Sequence, residues 1–190
     1  MKKIITILLT TLVTVGVFAQ ERTKSKTLDI KLPSSVLIRG TSTLHDWESV
    51  VEKTFGKMTI MNMDSIKQIE TLIVKVISTS IKSGKKLMDK LTYKALKSEQ
   101  HRWITFEFKS GELISENNQE VVIKLTGDLS IAGVTKSVSV LTNINKEGEH
   151  IYLTGAYQLK MTDYGIKPPK ALFGTIKTGN EITIEFNLKF

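Results

Sequence analysis

The sequence contains no cysteine. That excludes disulfides, thiol nucleophiles, thiolate metal sites and a lipidated cysteine at the N-terminus. The short motifs of several common chemistries are missing too. There is no G-x-S-x-G for a serine nucleophile, no phosphate-binding loop and no dinucleotide fingerprint. The histidines, His45, His101 and His150, stand far apart with no i, i+2 or i, i+4 pair, so neither a metal site nor a cofactor is expected. No internal repeat, low-complexity stretch or long linker divides the chain. Its 190 residues, 41% of them hydrophobic, suit one globular domain with a real core.

What is present begins with an N-terminal address. Lys2 and Lys3 precede an apolar stretch from Ile4 to Phe18, and Val17-Phe18-Ala19 places small residues where a signal peptidase reads. The run is short of the roughly 20 residues of a spanning helix and is diluted by threonines. Residues 1–19 are therefore expected to be a cleaved signal peptide, and 20–190 the folded domain. An exported protein without disulfides suits a bacterial periplasm, although full secretion starts from the same signal. The formal charge is +8, and removing Lys2 and Lys3 with residues 1–19 leaves +6. Such a surface favours anionic headgroups or nucleic acid. The lysines are scattered, no arginine cluster occurs, and export argues against nucleic acid as a partner.

The dominant pattern has period two, the mark of strands with one buried face. Val121, Ile123, Leu125, Leu129 and Ile131 share a parity, as do Val134, Val138, Val140 and Ile144. Ile151, Leu153, Tyr157, Leu159 and Met161 repeat it, and Ile182, Ile184, Phe186, Leu188 and Phe190 close the chain with it. Earlier strands are expected at Leu28–Leu32, Val36–Ser42, Phe55–Met63, Ile69–Ser78 and Trp103–Lys109. Asn117-Asn118, Ala132-Gly133, Lys146-Glu147-Gly148 and Gly179-Asn180 supply turn chemistry between runs. The strands are long for a small sandwich, and closure removes aggregation-prone edges, so an antiparallel barrel is expected.

Two segments depart from the alternation. From Lys85 to Lys97 the period lengthens. Leu87, Met88, Leu91 and Ala95 form one face of an amphipathic helix, with Ser83 placed as its N-cap. This helix can cover a side or mouth of the barrel, and its basic polar face allows transient membrane contact. Residues 162–178 form a long irregular connection, since Pro168-Pro169 cannot join a central ladder. Tyr164, Ile166, Leu172 and Phe173 should pack it down, as a lid over a mouth.

Three stretches carry a family resemblance. Val36-Leu37-Ile38-Arg39-Gly40-Thr41-Ser42-Thr43-Leu44-His45-Asp46-Trp47 is similar to the early strand of the YceI-like family. Leu125 to Lys136 resembles that family's G-x-L-x-I-x-G-V-T-K hairpin, the most specific of the three. Met161 to Pro169 resembles the stretch before its final strand. Between Val50 and Gly56 the chain carries several charges where members often have a G-x-F-like pair, a departure typical of a divergent branch. The resemblance implies an all-β fold: an eight-stranded antiparallel, lipocalin-like β-barrel with one amphipathic helix between strands. It also implies a polyisoprenoid ligand, such as a quinone or prenyl phosphate, in an internal channel.

Candidate lining follows from the inward parity: Met58, Ile60, Leu72, Val74, Val76, Phe106, Phe108, Leu125, Val138, Val140, Tyr157 and Phe186. Alternation gives facing but does not separate a lined channel from a packed core. His45-Asp46-Trp47 is the most chemical-looking group. His45 is either a headgroup ligand beside a ring-stacking Trp47 or a structural residue in a strand-end turn capped by Asp46. Neighbours on a strand face opposite ways, so His45 and Asp46 are not expected to pair as an acid–base couple. Lys136 shares the parity of Val138, and meets either a ligand oxygen near a mouth or only water. The leading reading is a non-enzymatic periplasmic carrier of an isoprenoid lipid or quinone, its ligand held by Phe173, Tyr164 and the lining residues. The alternative is a stress-related or structural barrel acting through a protein partner. A third reading, an enzyme using His45 and Asp46, requires those side chains to converge on an open cavity. Oligomeric state is left open.

Overall fold

The computed structural model describes residues 25–61, 68–117 and 121–190, so the signal-peptide segment lies outside the described residues. The strands are β1 (Lys26–Asp29), β2 (Lys31–Ser42), β3 (Trp47–Val51), β4 (Thr54–Ile60), β5 (Ile69–Ile77) and β6 (Ile81–Lys82). The helix α1 (Lys86–Ala95) follows, and then β7 (Trp103–Glu116), β8 (Val121–Ile131), β9 (Val134–Glu147), β10 (His150–Lys160), β11 (Lys170–Ala171) and β12 (Ile176–Lys189). The sheet runs β1-β4-β5-β7-β8-β9-β10-β12-β2-β3-β6, with β11 attached to β12. Every pairing is antiparallel. The last long strand pairs with an early one, Ile184 opposite Ile38 and Phe186 opposite Val36, so the sheet curls round one interior.

Eleven strands lie on this path where eight were expected, because long strands are interrupted. Ile30 parts β1 from β2, Glu52 and Lys53 part β3 from β4, and a turn at Ser78–Ser80 parts β5 from β6. At the last break the ladder loses backbone partners, and buried serines replace them. Ser80 Oγ donates to the Ile77 carbonyl at 2.7 Å and accepts from the Lys53 amide at 3.3 Å. Buried backbone groups left unpaired would be costly, which explains why serine is buried here.

The alternation is realised directly. In β8 buried and half-buried residues alternate along the whole strand, with Val121, Ile123, Leu125, Leu129 and Ile131 inward. Ala132 and Gly133 form the β8–β9 turn, both with positive φ, as a two-residue hairpin needs. Gly179-Asn180 is not a turn. It lies inside β12 at a register shift between Thr178 and Ile182, and Asn180 is turned aside to brace residue 162. Its Nδ2 donates to Thr162 Oγ1 at 2.9 Å, and its Oδ1 accepts from the Thr162 amide at 3.1 Å. Of the expected Asn117-Asn118 turn, Asn118 is outside the described residues, as are Asn62 and Met63 at the end of the expected strand from Phe55.

The interior has two unlike ends. At the end holding the β9–β10 turn, Leu28, Met58, Ile60, Ile123, Ile144, Ile151 and Phe190 are buried in solid contact. At the opposite end lie α1, the connection 43–46 and residues 161–175. There the interior is hollow.

Candidate functional site, an apolar cavity with one mouth

The hollow half holds a cavity of about 430 Å³. That is within the range of sites that enclose small molecules, roughly 300–1,000 Å³. Its walls are the inward residues of β2, β5, β7, β8, β9, β10 and β12, nearly all aliphatic or aromatic. Of the residues expected to line a channel, Leu72, Val74, Val76, Phe106, Leu125, Val138, Val140, Tyr157 and Phe186 face it, together with His45 and Trp47. Met58 and Ile60 do not. They are fully buried in the packed end, where β4 and β5 approach their hairpin. Phe108 packs on the core beside Gly111 without reaching the cavity.

Lys136 stands opposite Leu129 but is exposed, next to the β8–β9 turn, and takes no part in the lining. Tyr164 is buried in the turn at Met161–Tyr164, behind the cavity wall. Phe173 is fully exposed at a loop tip and points away from the interior.

Sequence reasoning left several lining residues out of the candidate site. The apolar helix face, Leu87, Met88, Leu91 and Ala95, lies on the cavity. Its period is legible in the sequence, and of the side or mouth it was expected to cover, it lies over the mouth. Val36, Ile38 and Ile184 also face inward, and their parity was legible. Thr142 gave no signal: a polar residue in an inward run, it is fully buried and lines the cavity.

The mouth is marked by residues that both line the cavity and remain exposed: Leu44, His45, Lys85, Leu87 and Lys170. A local turn sets the first two. Ser42 Oγ accepts from the amides of Leu44 and His45, both at 3.2 Å, and donates to the His45 carbonyl at 2.7 Å. Ser42, and not Asp46, therefore organises this turn. His45 Nδ1 lies 2.6 Å from the Asp46 backbone carbonyl, so the histidine has a backbone partner in place of the carboxylate of an acid–base couple. Trp47 Nε1 donates to the Thr41 carbonyl at 2.9 Å, which holds the indole against Gly40 with a face on the cavity.

The helix is a loosely held cover. None of its residues is fully buried. Lys82 Nζ donates to Tyr93 Oη at 2.6 Å, and Tyr93 Oη donates to the Ile81 carbonyl at 3.1 Å. The hydrogen bond to Tyr93 raises the Lys82 pKa. Lys85, not Ser83, holds the N-cap position, and it makes no side-chain cap. Ser83 instead donates to Asp89 Oδ1 through its amide at 2.8 Å and its hydroxyl at 2.7 Å. Partial burial pushes the Asp89 carboxyl upward, but the two Ser83 bonds and the Lys82 charge outweigh it and hold it below the ordinary aspartate range.

Deeper in the wall, burial and then the charge of Asp163 raise the Tyr157 pKa. Tyr157 lines the cavity, and its phenol, like any tyrosine's, is protonated near neutral pH and able to donate a hydrogen bond. Among the described residues no three His, Asp or Glu side chains gather as a metal site.

Solved structures similar to this one share its architecture at low identity. BcnA of Burkholderia cenocepacia superposes with a TM-score of 0.70 at 16% identity, covering 83% of this chain and 96% of that one. A polyisoprenoid binding domain from Saccharophagus degradans, implicated in plant cell wall breakdown, gives 0.66 at 10% identity, covering 87% and 98%. The YCEI protein of Campylobacter jejuni gives 0.60 at 17%, covering 75% and 82%. No curated protein matches the sequence. The family model for the YceI-like domain matches residues 23–190, from before the first strand to the last residue. The chain is a member of the YceI-like family.

Proposed function

We propose that this protein is a non-enzymatic carrier of a long apolar lipid, an isoprenoid or a quinone, whose tail enters the hollow half of the barrel. The observation that carries the reading is an almost wholly apolar cavity open at one end and closed by packed side chains at the other. A blind, greasy pocket sets direction: the tail goes in and the polar head stays at the mouth. His45, Lys85 and Lys170 stand there for the head, Trp47 offers an indole face to a ring, and the Tyr157 phenol can meet an oxygen further in. The family match and the polyisoprenoid binding domain among the structural relatives support the same ligand class.

Magnitudes suffice without any catalytic group. Burying about ten methylenes is worth roughly 8 kcal/mol, the scale of a micromolar dissociation constant before association costs. The signal-like N-terminus supports a location outside the cytoplasm, the periplasm in this reading. Native mass spectrometry of protein purified from its own envelope fraction, followed by solvent extraction, tests the ligand. A co-purifying isoprenoid is the expected result. A clean apo mass, unshifted by added quinone or prenyl phosphate, would remove the carrier reading in favour of a barrel that acts through its surface.

A further inference from the structure

The mouth carries three features that cavity lining does not explain. The first is the tip after β11. Leu172 and Phe173 adopt left-handed backbone angles, with φ of 47° and 53°. That conformation is ordinarily left to glycine, asparagine or aspartate, because a Cβ crowds the backbone there. The sequence nevertheless places two large apolar residues in it, and both are exposed, Phe173 completely. Strain is thus accepted in order to hold hydrophobic side chains in water.

The second is the stem of that tip. Lys170 and Lys177 lie directly opposite each other in the short β11–β12 ribbon. Like charges in facing positions repel. Among the described residues neither lysine forms an ion pair. The third is the rim itself. Leu44 and Leu87 line the cavity yet are 66% and 60% exposed. The turn carrying Leu44 is tied to the tip's stem, since Thr43 donates its amide to the Lys177 carbonyl at 3.0 Å and its hydroxyl to that of Thr175 at 3.3 Å. Lys85 and Lys86 begin the helix beside Leu87.

An apolar point, an apolar rim and unpaired lysines therefore share one end of the molecule, around the opening of the cavity. We infer that this end docks on an anionic phospholipid bilayer, with Leu172 and Phe173 inserted among the acyl chains and Lys170, Lys177, Lys85 and Lys86 against the headgroup phosphates. Charge complementarity selects the occupant. A bilayer supplies an apolar layer beneath a negative one, which matches a hydrophobic tip above a lysine collar. A neutral apolar protein surface would leave the lysine pair unrelieved. The acids at this end do not cancel it: the connection 43–46, α1 with Lys85 before it and residues 161–175 carry six lysines against three acids, Asp46, Asp89 and Asp163. Docked this way, the mouth faces the membrane, and a lipid tail can pass into the cavity without crossing water. The inference deepens the carrier reading and rests on it for its purpose, but not for its measurement.

Flotation of the purified protein with vesicles tests it, using phosphatidylcholine alone and equal parts phosphatidylcholine and phosphatidylglycerol. The protein should float with the anionic vesicles, less with the neutral ones, and less as salt is raised. The Leu172→Ser/Phe173→Ser variant should lose binding by roughly tenfold or more. Lys170→Gln/Lys177→Gln should lower the anionic preference by about fivefold per lysine. Leu113→Ser/Ile114→Ser, which removes exposed apolar residues near the far end of β7, should float like the parent. Equal flotation of the tip variant and the parent, or loss caused by the far-end variant, overturns the inference, as does a parent that floats with neither vesicle. Farnesol binding, read by Trp47 quenching in a Trp103→Phe background, separates the two claims. Its failure alongside tip-dependent flotation would remove the carrier and leave the docking surface, and the reverse result would do the opposite.

Discussion

Phe186 on β12 lies directly opposite Gly155 on β10, with its Cζ 2.7 Å from the place where a glycine Cβ would stand. The ring lies down on the neighbouring strand because nothing is there to hold it up. Phe106 does the same over Gly127, and Trp47 over Gly40. All three aromatic residues line the cavity. An aromatic ring over a cross-strand glycine covers bare backbone and keeps its bulk against the wall. Rings held flat in this way leave space inside a small barrel that side chains ordinarily fill.

Gly155→Val tests that relationship. A Cβ at this position would also meet the Leu141 carbonyl oxygen at 2.7 Å, so backbone as well as ring must move. Overpacking of this kind costs about 1–3 kcal/mol. The displaced Phe186 ring should enter the cavity, so the variant should melt earlier and take up less isoprenoid. A variant with a lower melting temperature and unchanged ligand capacity would show that the ring finds room elsewhere.

The two ends of the interior should respond oppositely to volume changes. Met58→Ala opens a void in the packed end and should cost about 2–5 kcal/mol in a denaturant titration. Val138→Phe adds volume where space already exists. It should cost less than about 1.5 kcal/mol while sharply reducing ligand uptake. Equal destabilisation by the two changes would mean that the hollow half is packed in solution.

Tyr164 makes a prediction about alkaline pH. Its hydroxyl is buried and has no hydrogen-bond partner among the described residues. Burial first, and then the neighbouring Tyr157 and Asp163, push its pKa up to about 12. A raised folded-state pKa means that the neutral phenol is the form the fold prefers. Its contribution to stability is complete below the unfolded value near 10 and is lost as pH rises toward 12. Tyr164→Phe removes an unsatisfied group and should match or exceed the parent in stability at neutral pH. Thermal melts from neutral to strongly alkaline pH should show a shallower decline for the variant. Parallel declines would assign the alkaline loss to other groups.

Helix α1 should open ahead of the barrel. Tyr93→Phe keeps the ring but removes the hydroxyl that joins Lys82 to the Ile81 carbonyl. Hydrogen exchange of residues 86–95 should then speed up while that of β8 and β9 stays unchanged. Acid should act on the other anchor. The Asp89 carboxyl is held below its usual range, so its contribution is complete above the ordinary aspartate pKa and lost as pH falls through its lowered folded value. Faster exchange confined to the helix at low pH is expected. A helix that opens only with the barrel would not be a separate cover.

Several site residues were legible in the chain as facing inward, and fewer as facing empty space. Leu125, Val138 and Phe186 share their parity with Ile123, Ile144 and Phe190, yet the first three line the cavity and the last three pack solid. Parity reports only which side of a sheet a residue takes. Distance along the barrel decides the rest, and it depends on registers and bulges that no single strand encodes. His45 shows the same limit. Beside Asp46 and Trp47 it reads as chemistry, but Ser42, three residues earlier, gathers its backbone into a turn. Phe173 read as a packed lid residue because it is large and apolar, whereas two successive left-handed residues carry it into solvent.

The antiparallel strands with their inward faces, the one amphipathic helix and the absence of thiol chemistry are legible along the chain, because periodicity and composition act locally. Which half is hollow, where the mouth opens and which apolar residues stand outside it became visible with the folded chain. Those properties arise from pairings between distant strands: a glycine opposite an aromatic ring, a late strand closing on an early one, and a lysine facing another across a short ribbon.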